Sequence, residues 1–170
     1  MKSTSNIFLI GPMGTGKSTI GRKLAKRTSQ KFYDSDLEIE NRTGVKINLI
    51  FEIEGEAGFR KRESQLLEEF TSMSNIVLAT GGGAVLSEGN RAILIDRGFV
   101  VYLKSDIDQL LKRTSRDNKR PLLQNADHEA VIKKLLNERG PLYEEVADLV
   151  IDTAGLSIND IITQIMSAEQ

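Results

Sequence analysis

Residues Asn6 to Thr19 constrain this chain more than any other stretch. Ile7 to Ile10 form a short apolar run of the kind that makes a buried strand. The run breaks into Gly11-Pro-Met-Gly-Thr-Gly-Lys17-Ser18, which satisfies G-x-x-x-x-G-K-[ST] at every fixed position. Ile20, Leu24 and Ala25 then recur at helical spacing. Strand, glycine loop and helix in that order make a cradle for phosphate. Gly11, Gly14 and Gly16 allow close backbone approaches that a Cβ would block, so N–H groups can turn onto phosphate oxygens at the positive end of the helix. Lys17 adds a charge for the β- and γ-phosphates, and the Ser18 hydroxyl is placed to ligate Mg²⁺. The loop predicts a nucleotide-phosphate site. It leaves open what the phosphate is for.

With 170 residues, 39% hydrophobic and 28% charged, the chain is expected to fold as a single domain over 1–170. A net charge of -1 gives no footprint for nucleic acid or an anionic membrane, and 5% aromatics without Trp give no base-stacking platform. The absence of Cys excludes disulfides, thiolate metal sites and thiol nucleophiles. Four strong apolar residues before Gly11 are too few for a signal sequence or a membrane span. A cytoplasmic monomer acting on small molecules, with no nucleic-acid or membrane partner, is the expectation.

Further apolar runs at Lys31–Asp34, Ile76–Thr80, Phe99–Leu103 and Leu149–Asp152 alternate with longer helical stretches. That alternation predicts a three-layer α/β/α fold with a five-stranded parallel sheet, whose ligands bind beyond the carboxyl ends of the strands. Chemistry is therefore expected at the strand exits. The second leaves through Asp34-Ser-Asp36, two carboxylates on one side of an extended chain; one can hold water on Mg²⁺ and the other can take a proton from a hydroxyl, although Asp36 could also cap the helix that follows. The third leaves through Gly81-Gly82-Gly83, which suggests a backbone that approaches a ligand closely. That strand has no acidic end, so Asp34 is the candidate for the metal's other protein contact.

Between them lies a helical region from Lys46 to Met73, interrupted at Gly55 and Gly58, in which Arg60 and Glu63 alone read as a surface ion pair. Ser105 to Asp108 reads as a capping box, as does Ser157 to Asp160. The basic, apolar-poor stretch Lys112 to Pro121 reads either as a lid that carries an arginine onto a transferring phosphoryl group or as a solvated loop. Arg139 continues the apolar stripe of Ile132, Leu135 and Leu136, so it must snorkel outward or point into a polar cavity, and Gly140-Pro141 should end or kink that helix.

Taken together, Gly11–Ser18, Asp34-Ser-Asp36, Phe59-Arg60 with Glu63, Gly81–Gly83, Arg120-Pro-Leu-Leu123 and Arg139-Gly-Pro-Leu-Tyr143 resemble the shikimate kinase family, small P-loop kinases of the nucleoside-monophosphate-kinase-like group. The resemblance covers nearly the whole chain. It implies transfer of the γ-phosphoryl of ATP to the 3-hydroxyl of shikimate, with Mg²⁺, giving shikimate 3-phosphate and ADP. It implies that Asp36 is the base or orienting group for the attacking hydroxyl. Arg60 and Arg139 would hold the substrate carboxylate, with backbone contacts from Gly81, Gly82 and Gly83. On the nucleotide side it implies Gly14, Thr15, Gly16, Lys17, Ser18 and Thr19, with Arg120 closing onto ATP and Arg113 a candidate for stacking on adenine. Lys17 and Arg120 would neutralise the transferring group, and Ser18 with Asp34 through water would hold the metal. The substrate-binding region would span about 33–62 and the mobile lid about 113–127. Two other readings stay open: a gluconate or nucleotide kinase on the same fold, and a nucleotide-binding regulator without turnover.

Overall fold

The apolar runs form five short strands: β1 (Ile7–Ile10), β2 (Lys31–Asp34), β3 (Ile76–Ala79), β4 (Phe99–Lys104) and β5 (Leu149–Asp152). They belong to a computed structural model that describes residues 5–114 and 128–169. All neighbours pair in parallel, in the order β2-β3-β1-β4-β5. The helices are α1 (Lys17–Thr28), α2 (Ser35–Thr43), α3 (Ile47–Thr71), α4 (Glu88–Arg97), α5 (Ile107–Thr114), α6 (His128–Val146) and α7 (Ile158–Glu169), with a 3-10 turn over Ala84–Leu86.

Side-chain alternation along the strands splits the core into two layers. Phe8, Ile10, Ile76, Leu78, Val100 and Tyr102 face one way and pack against Leu67 and Phe70 of α3, Leu94 of α4 and Tyr143 of α6. Ile7, Leu9, Val77, Val101, Leu103 and Ile151 face the other way, against Ile20 and Leu24 of α1 and Ile161, Ile162 and Ile165 of α7. Parallel strands covered on both faces lose their polar alternation and read as continuous apolar runs, which is why β1, β3 and most of β4 are fully buried. The order puts β1 in the centre, so its carboxyl end opens into the middle of the sheet's top edge. At that opening Gly11 has φ 143°, and a Cβ there would lie 2.5 Å from the Leu103 carbonyl oxygen. Only glycine lets the chain turn so close to β4.

Several local expectations need correction. Asp34, not Asp36, caps α2: its Oδ1 accepts from the Leu37 N–H at 3.1 Å, and Asp36 lies in the first turn. Asp34 has the extended backbone an N-cap requires, whereas Asp36 is already helical. Asp106 rather than Ser105 caps α5, accepting from Gln109 N–H at 2.7 Å, while the Ser105 hydroxyl donates to Gln109 Oε1. The Ser157–Asp160 box forms reciprocally, at 3.1 and 3.0 Å. Helix α3 breaks only at Gly55 (φ 75°, ψ 175°); Gly58 stays helical and leaves room for the Glu54 side chain, which returns over it to pair with Arg62. Helix α6 runs through Gly140 and Pro141 to Val146. A proline costs a helix interior roughly 3 kcal/mol, and here the burial of Tyr143 and Val146 beyond it offsets that cost.

Candidate active site

The site is built where β1, β2 and β3 end. Between β1 and α1, the loop curls so that the Lys17 ammonium donates to the carbonyls of Gly11 and Pro12, both at 2.8 Å. Thr15 holds the turn by donating to Pro12 O at 3.0 Å. Gly16 caps α1 in the left-handed region, φ 87°, which leaves the first N–H groups of that helix unobstructed. The loop separates two cavities. One, of about 210 Å³, is bordered by Lys17, Ser18, Asp34, Asp36, Gly81 and Gly82. The other, of about 360 Å³, lies on the far side of Gly14, Gly16 and Thr19, against Thr153, Leu156 and Ile158.

In the first cavity the Ser18 hydroxyl donates to Asp34 Oδ2. A hydroxyl and a carboxylate oxygen side by side suit a hard cation. Among the described residues no group of three or more His, Cys, Asp or Glu gathers as a metal cage. That donor set fits an ion that keeps waters and phosphate oxygens as its remaining ligands, as Mg²⁺ does. Asp36 is held beside the glycine turn because Ser35, next to it, accepts from the Gly81 N–H at 3.0 Å.

The turn after β3 is where the distant parts of the chain meet. An ideal Cβ at Gly81 would lie 2.7 Å from Asp36 Oδ1 and 2.9 Å from Glu63 Oε2. One at Gly82 would lie 3.4 Å from Arg139 Nη1, and one at Gly83 would run into the Arg60 guanidinium carbon at 2.6 Å. The three glycines therefore leave space for four charged side chains from three helices. Arg60 stacks near the Phe59 ring, 5.2 Å from its centroid, and donates to Glu63 Oε1 at 2.9 Å. The Arg60–Glu63 pair exists as its spacing suggests, but it is not a surface pair: the Glu63 side chain is 0% exposed and that of Arg60 23%, and Arg139 beside them is buried at 3%. Arg139 thus takes the inward course, not the snorkelling one. The Nε atoms of Arg60 and Arg139 are buried with no hydrogen-bond partner among the described residues. Two guanidinium groups with unused buried donors against one glycine turn suit a planar anion such as a carboxylate.

Burial pushes the Glu63 carboxyl up to about 7; Arg60 opposes the rise, Asp36 adds to it, and Arg139 opposes it. Burial likewise raises Tyr143, against the pull of Arg139. Its hydroxyl donates to the Gly82 carbonyl at 2.6 Å and ties α6 to the glycine turn.

Sequence reasoning assigned no part to Tyr143, to the depth of Glu63, or to Thr153 and Leu156 beside the phosphate loop. Tyr143 lies one helical turn beyond Arg139, on the same face, and that spacing was the available signal. Of the remaining expected residues, Arg113 lies in α5 by its backbone, with its side chain undescribed. Arg120 and the lid expected beyond α5 lie outside the described residues.

A family model described as shikimate kinase matches residues 13–169. A shikimate kinase of Nitrosococcus oceani is 55% identical over 95% of this chain and 85% of its own length. Among solved structures, a shikimate kinase from Acinetobacter baumannii in complex with shikimate superposes with a TM-score of 0.94 at 49% identity, covering 96% of this chain and 91% of that one. A gluconokinase from Sinorhizobium meliloti reaches a TM-score of 0.63 at 15% identity over 99% and 93% of the two chains, a likeness of fold alone.

Proposed function

The chain belongs to the shikimate kinase family, and from that premise we propose how its residues carry the ATP-dependent phosphorylation of shikimate. The observation that supports the assignment of roles is the convergence of Arg60 and Arg139 with Asp36 on one glycine turn, across a single cavity from Lys17. A nucleotide acceptor would call for groups that read a base. Two forked cations and one carboxylate instead match an acceptor with a carboxylate at one end and hydroxyls at the other.

In this reading the triphosphate lies along Gly14 to Thr19 at the N-terminus of α1. Its nucleoside enters the larger cavity beside Thr153 and Leu156, with Arg113, on the family resemblance, stacking on the adenine. Lys17 exchanges its carbonyl partners for β- and γ-phosphate oxygens. Ser18 and Asp34, the latter through water, would hold Mg²⁺, which would supply charge screening for the phosphates. Arg60 and Arg139 take the shikimate carboxylate, and the glycine turn completes the grip with the N–H groups of Gly82 and Gly83, Gly81 lying against the ligand with its own N–H held by Ser35. The ring is thereby turned so that its 3-hydroxyl meets the Asp36 carboxylate, which orients it and accepts its proton as the γ-phosphoryl is attacked in line. The negative charge that develops on the phosphoryl oxygens is met by Lys17 and, on the sequence alone, by Arg120. The region about 33–62 acts as the substrate-binding part and about 113–127 as the lid, within a monomeric cytoplasmic enzyme.

Coupled detection of ADP tests the assignment, with shikimate, gluconate and nucleoside monophosphates offered in turn with ATP and Mg²⁺. ADP release that depends on shikimate, and a shikimate KM that rises in R60A with the ATP KM unchanged, is the expected result. Turnover with gluconate or a nucleotide at equal efficiency, or an R60A effect confined to ATP, would overturn it. Among the described residues, no helix is long and apolar enough to cross a membrane.

A further inference from the structure

The acceptor pocket holds two carboxylates and two guanidinium groups, Asp36 of α2, Arg60 and Glu63 of α3, and Arg139 of α6. When all are ionised their charges cancel. Glu63 is the deepest of them, 0% exposed. Its Oε1 accepts from Arg60, while its Oε2 is buried without a hydrogen-bond partner among the described residues. That second oxygen faces the turn at Gly81, next to Asp36 Oδ1. The groups that face Glu63 are Arg60 on its own helix, Asp36 from α2 and Arg139 from α6; the glycine turn adds no charge, and the nearby Tyr143 hydroxyl stays protonated.

An anionic substrate brings a third carboxylate into this enclosure and leaves it one charge out of balance. Uncompensated charge out of water is costly, and an acid already crowded by another carboxylate is the group that yields. We propose that Glu63 is the proton acceptor of the pocket: when the substrate carboxylate docks between Arg60 and Arg139, one proton passes from solvent to Glu63 Oε2. This rests on the reading that those arginines take the carboxylate. Protonation restores neutrality, frees Arg60 Nη1 to turn its charge to the ligand, and converts the unpartnered Oε2 into an O–H donor facing Asp36. Since burial already holds the free carboxyl near neutrality, the added like charge is enough to load the proton at ordinary pH.

The sign follows from linkage. A proton taken up on binding makes substrate bind more tightly as pH falls and more weakly as pH rises above the free group's titration, by up to about tenfold per pH unit. A pocket whose charges stay fixed shows neither effect.

Titration calorimetry of shikimate into the nucleotide-free protein at pH 7.5, in phosphate and in Tris, reads the proton directly. Roughly half a proton taken up by the wild type is expected, with none in E63Q, whose amide has the shape of the neutral acid. The methyl ester of shikimate should bind with no uptake. Buffer-independent heat in the wild type, or uptake undiminished in E63Q, would overturn the proposal. Where E63Q does not fold or bind, infrared difference spectra of the wild type decide: a protonated-carboxyl band that grows with shikimate supports it, and no such band overturns it. Failure of the carboxylate assignment looks different, because R60A and R139A would then leave the shikimate KM unchanged.

Discussion

The two halves of the site are made in opposite ways. The donor half, Gly11 to Thr19, is a single run of sequence whose contacts are mostly backbone: Lys17 reaches carbonyls five and six residues back, and Thr15 one three residues back. The acceptor half is assembled from Asp36, Arg60, Glu63, Gly81–Gly83, Arg139 and Tyr143, which span more than a hundred residues and meet only because α2, α3 and α6 converge on one turn. Backbone geometry can be repeated with many partners, which is why such a loop says little about the substrate. Four charges gathered on one turn, with Glu63 and Arg139 fully buried, cannot be rearranged cheaply, so the acceptor half is where specificity is expected to reside.

Substitutions on the two sides should therefore fail differently. The largest effect is expected where the halves share the reacting atoms. K17A should lower kcat by about 10³-fold or more, through loss of charge on the transferring group. D36N should lower kcat by about 10²–10⁴-fold with ATP affinity kept, since it removes a proton acceptor rather than a phosphate contact. Steady-state kinetics with direct ATP-binding measurements checks both. Wild-type turnover in D36N would break the division of labour.

R139A comes next. Loss of a buried charge-assisted grip should raise the shikimate KM by about 10²-fold and leave the ATP KM within a few-fold. G83A should follow. Its methyl would collide with the Arg60 guanidinium, and overpacking of this kind costs about 1–3 kcal/mol. Because Arg60 is the end of a flexible side chain, it would be displaced rather than the fold lost, and the shikimate KM should rise by about tenfold. An equal rise in the ATP KM for either variant would show that the halves are not separable.

The same contrast explains what was legible in the sequence. Strand β1, its loop and α1 are encoded locally, and so is the alternation that gives the five-stranded sheet. Local rules also located Asp34 and Asp36, although not which of them caps α2, because a cap is set by the backbone of one residue. The spacing of Arg60 and Glu63 gave the pair but not its depth, since an i,i+3 spacing looks the same on a surface as in a core. Thr153 and Leu156 meet the phosphate loop across about 140 residues of chain, a separation over which no short pattern operates. Pro141 misled in the other direction: tertiary packing of Tyr143 carried the helix past a residue that would end it in isolation.

The smallest and sharpest test lies on the seam. Gly82 borders both halves: a Cβ there would sit 3.4 Å from Arg139 Nη1 and 3.5 Å from the Met13 backbone nitrogen of the phosphate loop. Its carbonyl is held by the Tyr143 hydroxyl alone among the side chains described. Y143F keeps the ring and its packing on Tyr102, at 4.9 Å between centroids, and removes only the hydroxyl, with its donation to Gly82 and its contact with Arg139. Leaving a buried carbonyl unsatisfied should cost about 1–3 kcal/mol, read as a fall in Tm of a few degrees. Because α6 carries both Tyr143 and Arg139, loosening the tie should let the glycine turn drift from the acceptor side. The shikimate KM should then rise about three- to tenfold while kcat at saturation stays near wild type. If the ATP KM rises instead, Tyr143 holds Gly82 for the benefit of the phosphate loop, and the boundary between donor and acceptor must be moved to the far side of the turn.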